Sequence, residues 1–165
     1  MAILAAFNSP EVEVIGLTSI FGNVPTAMAT RNALVLAELA GRADVPVVEG
    51  AHKSLRGVAK ERVADFVHGD DGFGNTGQAA AAGAAAPGSA AEFIVRMAAQ
   101  HPGQVTVLAL ASLTNVALAL HLDPGLPEKL VRFVRERAPW APPRPCATSV
   151  LVFVRSSSLS AFEHC

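Results

Sequence analysis

Three short apolar runs, separated by helical patterns, constrain the fold of this chain more than any other feature. The runs span residues 12–20, 45–48 and 105–110. They are rich in valine, isoleucine and leucine, as expected of parallel strands that are buried on both faces. The predicted helices cover residues 2–7, 26–40, 89–100 and 113–120, and Ser89 with Glu92 forms the capping-box pattern that opens the third. This alternation predicts an α/β fold with a partial, open, mostly parallel sheet and crossover helices.

The segment 66–75 is the strongest candidate for a functional loop. It contains His68, Asp70 and Asp71 together with three glycines, in a chain whose charged residues make up only 16%. Glycines let a backbone approach a ligand closely, and the polar side chains supply hydrogen-bond donors and acceptors. These side chains are either metal ligands or acid–base groups, or simply the polar face of a solvated loop.

Polar residues also follow two of the predicted strands. Asn23 lies after the first run, and Thr114 and Asn115 follow the third. In an open α/β sheet the ends of adjacent strands line the ligand pocket, which favours substrate binding by these residues. Capping of the helix that follows each strand is an equally good interpretation.

Residues 72–77 match the letters of a dinucleotide-binding motif, with glycine at positions 72, 74 and 77. Such a motif needs a strand before it, a helix after it and an acidic residue about 20 positions later. Residues 65–71 make a poor strand end, and no acidic residue lies between Gly77 and Glu92. We interpret the match as accidental.

Charge and composition exclude several classes of protein. Thirteen basic and 14 acidic residues give a net charge of -1, which offers no electrostatic basis for binding nucleic acid. The 51% apolar content excludes a disordered chain of low hydrophobicity and high charge. Cys146 and Cys165 fit neither a metal spacing nor a disulfide framework. Since residues 1–7 lack a signal-peptide pattern and no apolar run reaches the length of a membrane span, we predict a cytosolic protein without a membrane partner.

The character of the sequence changes after about residue 131. Arginine and proline become frequent, and the single tryptophan and both cysteines lie in this part. Residues 150–154 have the composition of a strand, but no turn or helix pattern follows them. We therefore predict a partial domain at 1–131 and an atypical tail at 132–165 outside the same fold. The tail is either a flexible C-terminus or the product of an altered splice or reading frame.

Several segments, taken in order, resemble the inosine-uridine nucleoside hydrolase family over about residues 1–134. They are residues 1–7, Val14-Ile15-Gly16-Leu17-Thr18 with Gly22-Asn23, Thr30-Arg31-Asn32-Ala33, Val45-Pro46-Val47-Val48-Glu49-Gly50, His68-Gly69-Asp70-Asp71-Gly72 and residues 108–119. The alanine-rich helices and Leu110 are most similar to the plant-type members.

The resemblance implies an enzyme that hydrolyses the N-glycosidic bond of inosine- or uridine-type ribonucleosides to ribose and a free base. It also implies a calcium ion at the strand ends, which holds the sugar hydroxyls and an attacking water that an aspartate deprotonates. The transition state is then similar to an oxocarbenium ion, as in glycoside hydrolysis generally. Calcium prefers oxygen ligands, which suits a site of carboxylates and a backbone carbonyl.

Carried onto this chain, the resemblance assigns three residues. Asn23 corresponds to an asparagine that contacts the ribose, and His68 corresponds to the loop histidine on the nucleobase side. The main-chain oxygen of Leu110 corresponds to the family's backbone calcium ligand. No catalytic residue is carried over, because the family's aspartate-rich motif would precede Met1 and its later half has no counterpart in the tail. We therefore expect weak or absent calcium binding.

Two hypotheses about function remain open at this point. In the first, the chain is a truncated nucleoside hydrolase by descent, with a ribonucleoside as its substrate and little or no activity alone. In the second, it is a non-catalytic chain that forms a homo-oligomer or associates with a full-length hydrolase or another partner. The first strand of the family's sheet would be missing, and unpaired backbone edges favour association.

Overall fold

A computed structural model describes residues 2–59, 64–135 and 150–156 of the 165-residue chain. The helices are α1 (Ala2–Asn8), α2 (Thr26–Leu39), α3 (Asp65–His68), α4 (Ala90–Gln100), α5 (Thr114–Leu122) and α6 (Leu126–Lys129). The strands are β1 (Val12–Ser19), β2 (Val47–Val48), β3 (Val105–Ala109), β4 (Leu130–Arg135) and β5 (Val150–Ser156). Within these ranges, none of the helices combines the length and the apolar content that a membrane span requires.

The described strands form one sheet in the order β2-β1-β5-β3-β4. β2 runs parallel to β1 and β4 runs parallel to β3, while β5 runs antiparallel to both β1 and β3. Four strands therefore share one direction, and a reversed strand lies between the two pairs. The predicted α/β fold with an open, mostly parallel sheet is confirmed.

The central strand comes from the region that the sequence assigns to an atypical tail. β5 pairs with β1 from Val150 opposite Ser19 to Ser156 opposite Val12, and with β3 from Leu151 opposite Ala109 onward. Residues 150–154 therefore form a strand, as their composition indicates, and they are buried in the middle of the sheet. α6 and β4 were not predicted. The rest of the tail, at 136–149 and 157–165, lies outside the described residues, so the boundary after residue 131 stays a prediction.

Two apolar clusters cover the two faces of the sheet, and β5 contributes to both. Leu151 and Phe153 belong to one cluster with residues of α4. Val150, Val152 and Val154 belong to the other, with residues of α1. This division follows from the alternation of side chains along a strand. The rings of Phe93 and Phe153 meet edge to face with centroids 5.7 Å apart. Gly16 permits this packing, because a Cβ there would lie 2.3 Å from Cζ of Phe93.

The helices begin and end close to the predicted positions. The clearest case is α4, where Oγ of Ser89 accepts a hydrogen bond from the main-chain nitrogen of Glu92. The carboxylate of Glu92 in turn accepts from the main-chain nitrogen of Ser89, which completes the predicted capping box. Residues 51–77, which lie between β2 and α4, contain one short helix, α3, among those that the structure describes.

Candidate functional site

A small, partly open cleft lies where α1 and α2 meet the loop of residues 69–75. Its wall is mixed in polarity. Ile3, Leu36, Phe73 and Val150 are among the apolar residues that line it, and Asn23, Asn32 and His68 are the polar ones. The cleft therefore brings together the loop after β1, one side of α2 and the segment predicted to be functional.

Asn23 and His68, the two residues to which the sequence assigns substrate contacts, line this same cleft. Nδ2 of Asn23 and Nε2 of His68 are both buried, and neither has a hydrogen-bond partner among the described residues. A buried polar group without a partner costs about 1–3 kcal/mol. Two such nitrogens in one cleft are therefore suited to a ligand or water that supplies the missing partners.

Asn23 does not act as a helix cap, which was the alternative interpretation of this residue. α2 begins after Pro25, and no side chain of the described residues caps its first turn. The main-chain oxygen of Asn23 instead accepts a hydrogen bond from the nitrogen of Ala64 at 2.7 Å. This bond joins the residue before α3, and so the segment that carries His68, to the loop between β1 and α2.

The loop of residues 69–75 is held together by its own side chains. Oδ1 of Asp71 accepts hydrogen bonds from the main-chain nitrogens of Phe73 at 2.7 Å and Asn75 at 2.9 Å. These bonds hold the pKa of the Asp71 carboxyl below its ordinary value, because they stabilise the charged form. The nitrogen of Gly74 donates to the main-chain oxygen of His68 at 2.6 Å. Asp71 therefore stabilises the conformation of the loop, and its Oδ1 is already engaged by two main-chain nitrogens.

The resemblance implies a calcium site, and the described residues do not fit one. Leu110 does not line the cleft and packs, partly buried, against the cluster that includes Ile3. Calcium takes about six to eight oxygen ligands. In the parts of the chain that the structure describes, no group of three or more His, Cys, Asp or Glu side chains is placed to hold an ion.

Thr114 and Asn115 are neither helix caps nor lining residues of the cleft. The first turn of α5 has no side-chain cap among the described residues, and Oγ1 of Thr114 lies 3.0 Å from Oγ of Ser112. The amide of Asn115 bonds instead to the main chain of Ser19 and Ala51. Both residues therefore have structural roles. Asn115 joins the end of β1 to the chain segment after β2, and Thr114 contacts Ser112 in the loop before α5.

Most lining residues were not among the predicted site residues, and Asn32, Phe73 and Val150 are three of them. Asn32 lies in Thr30-Arg31-Asn32-Ala33 and Phe73 lies one residue after the His68–Gly72 segment, so both were close to motifs that the sequence singled out. No local signal could have placed Val150, because it reaches the cleft through the pairing of β5 with β1.

Comparison with known proteins supports the resemblance. The family model described as inosine-uridine preferring nucleoside hydrolase matches residues 1–135. "Probable uridine nucleosidase 2" of Arabidopsis thaliana is 54% identical over 134 residues, which cover 81% of this chain and 42% of that protein. "Uridine nucleosidase 1" of the same plant is 49% identical, with 81% and 40% covered. This chain therefore spans about two fifths of the length of these relatives.

A solved structure shows the same likeness in three dimensions. The structure titled "Plant nucleoside hydrolase - PpNRh1 enzyme" superposes with a TM-score of 0.79 at 46% sequence identity, covering 81% of this chain and 42% of that one. A purine-preferring ribonucleoside hydrolase from Gardnerella vaginalis gives a TM-score of 0.78 at 30% identity, covering 81% of this chain and 43% of that one.

Proposed function

Since this chain belongs to the inosine-uridine preferring nucleoside hydrolase family, we propose that its cleft binds a ribonucleoside. The observation that carries the proposal is the pair of buried nitrogens on Asn23 and His68, which have no partner among the described residues. A ribonucleoside offers hydroxyl oxygens on its sugar and polar atoms on its base, which are the complementary groups. The relatives named as uridine nucleosidases make uridine the first ligand to test.

In this proposal the polar and apolar parts of the wall bind different parts of the ligand. Nδ2 of Asn23 donates to a ribose hydroxyl, and the imidazole of His68 lies on the side of the base. The ring of Phe73 and the side chain of Leu36 offer apolar surface to the flat face of the base. Such a mixture, mostly apolar with a few polar groups that fix orientation, is typical of small-molecule sites.

The reaction that follows from the family is hydrolysis of the N-glycosidic bond. Water adds across the bond between the sugar and the base, so that ribose takes the hydroxyl group and the base leaves with a proton. This activity is a proposal for the whole protein, because the chain spans only about two fifths of its relatives. The described residues of the cleft hold and orient the nucleoside, and for them we propose binding with little turnover.

Binding is tested by titrating uridine into the chain and following its amide resonances by NMR. We expect saturable shifts near Asn23 and His68, and weaker binding by Asn23→Ala and His68→Ala. Ser89→Ala is the matched control, because it removes the capping box of α4 far from the cleft and leaves the lining residues intact. Absence of saturable shifts in the unmodified chain, or equal affinity in all variants, would refute the proposal.

A second candidate function, association with another hydrolase chain, is favoured by exposed apolar side chains next to the cleft. Phe66 is 80% exposed and Val67 46% exposed, and both lie on α3 directly before His68. Light scattering after gel filtration, of this chain alone and mixed with a full-length uridine nucleosidase, tests this function. Elution of this chain at its monomer mass in both samples would contradict this function. The cytosolic localisation stays a prediction.

A further inference from the structure

Asn32 is a buried polar residue of α2 for which the proposed nucleoside contacts give no role. It is 8% exposed and lies in the wall of the cleft. Its Nδ2 donates a hydrogen bond to the main-chain oxygen of Asp71 at 2.9 Å, across 39 residues of sequence. This bond joins α2 to the middle of the loop 69–75.

The loop and α2 are in such close contact at this point that a side chain would not fit. A Cβ added to Gly72 would lie 2.8 Å from Nδ2 of Asn32 and 2.9 Å from Cγ1 of Val24. Gly72 also has a φ of +75°, which favours glycine. The position of the loop is therefore set by its contact with the Asn32 amide as well as by its internal hydrogen bonds.

Arg31 completes the attachment from the other side of Asn32. Its Nη1 donates to Oδ1 of Asn32 at 3.0 Å, and its Nη2 donates to the main-chain oxygen of Gln78 at 2.6 Å. The amide of Asn32 is thus fixed in orientation, with its oxygen toward Arg31 and its nitrogen toward Asp71. Two adjacent residues of α2 hold the chain at positions 71 and 78.

We propose that Asn32 is a positioning residue, which fixes the loop 69–75 on α2 so that His68 and Phe73 face the cleft. The two lining residues flank the point of attachment, and the nitrogen of Gly74 is bonded back to the oxygen of His68. A shift of Asp71 and Gly72 therefore moves both side chains together. The inference rests on the proposed nucleoside site for its ligand, and on the hydrogen bonds alone for the position of the loop.

The first test compares uridine affinity. Asn32→Ala removes the donor to Asp71, and we expect the dissociation constant to rise about tenfold, as for the loss of one net hydrogen bond. Asn32→Asp keeps the size and the acceptor for Arg31 but cannot donate when ionised, so it is expected to weaken binding as well. Ser89→Ala serves as the control for a general loss of stability. Unchanged affinity in both Asn32 variants would overturn the proposal.

The second test measures the loop directly and needs no ligand. Amide hydrogen exchange reports the protection of the Phe73 and Asn75 nitrogens, which bond to Asp71. We expect about tenfold faster exchange of these amides in Asn32→Ala and Asn32→Asp, and no change there in Ser89→Ala. If the unmodified chain does not bind uridine, the proposed function fails, and exchange alone decides the role of Asn32. Unchanged exchange in the Asn32 variants would refute that role.

Discussion

The side-chain amide of Asn115 bonds to the main-chain oxygen of Ser19 at 2.8 Å, 96 residues earlier in the sequence. Its Oδ1 also accepts from the main-chain nitrogen of Ala51 at 2.9 Å. One buried amide thus joins the end of β1, the segment after β2 and the start of α5. Gly50 permits this arrangement, because a Cβ there would lie 2.0 Å from the oxygen of Ser19.

We expect Asn115→Ala to lower the free energy of unfolding by about 1–3 kcal/mol, because it removes the partner of the buried oxygen of Ser19 and of the partly buried N–H of Ala51. Urea denaturation followed by circular dichroism measures the change. Gln100→Ala is the control, since it truncates an exposed amide side chain at the end of α4. The explanation fails if the two substitutions cost the same.

We expect Phe153→Ala to lower the free energy of unfolding by about 3–5 kcal/mol, the usual cost of truncating a buried phenylalanine. Phe153 is fully buried in β5 and packs against Phe93. Arg155→Ala is the matched control in the same strand, because its ion pair with Glu13 is partly exposed and such pairs contribute about 0–1 kcal/mol. Similar, small effects of both changes would show that β5 does not fill the centre of the sheet.

The sequence could predict the elements whose signal is local. β1 and β3 are nearly continuous apolar runs, and α4 carries its own cap in Ser89 and Glu92. β4 has a weaker signal, because Arg132 and Arg135 interrupt its apolar residues and, among the described strands, it pairs with β3 alone. The position and direction of β5 depend on pairing with strands far away in the sequence, and no local pattern contains that information.

The candidate site divides in the same way. Asn23 and His68 were predicted from the resemblance, and the structure places both on one cleft. The hydrogen bonds that Asp71 accepts from its own loop could not be predicted, because a carboxylate in a glycine-rich segment is equally suited to binding a ligand. Asn32 was missed because its partner, the oxygen of Asp71, is a main-chain atom that carries no sequence signal.

Calcium binding by this chain is expected to be weak, with a dissociation constant of about 1 mM or higher. The physical reason is the lack of a cluster of three or more acidic or histidine side chains in the ranges that the structure describes. Isothermal titration calorimetry measures the affinity, and a magnesium titration is the control for non-specific binding. A micromolar constant for calcium would contradict this expectation and would indicate a site that the described residues do not contain.

Acid is expected to loosen the loop 69–75 through Asp71. The hydrogen bonds from Phe73 and Asn75 lower the pKa of the Asp71 carboxyl, so its charged form stabilises the folded loop. That stabilisation is fully present above the ordinary pKa and is lost as the pH falls through the lowered value.

The amide resonances of Phe73 and Asn75 should therefore stay constant from neutral pH down to about pH 5. They should shift only at a pH below the ordinary pKa of an aspartate. In Asp71→Asn, which keeps an acceptor oxygen but has no charge to lose, this shift should disappear. A midpoint at or above the ordinary value, or an unchanged shift in the variant, would show that Asp71 does not hold the loop.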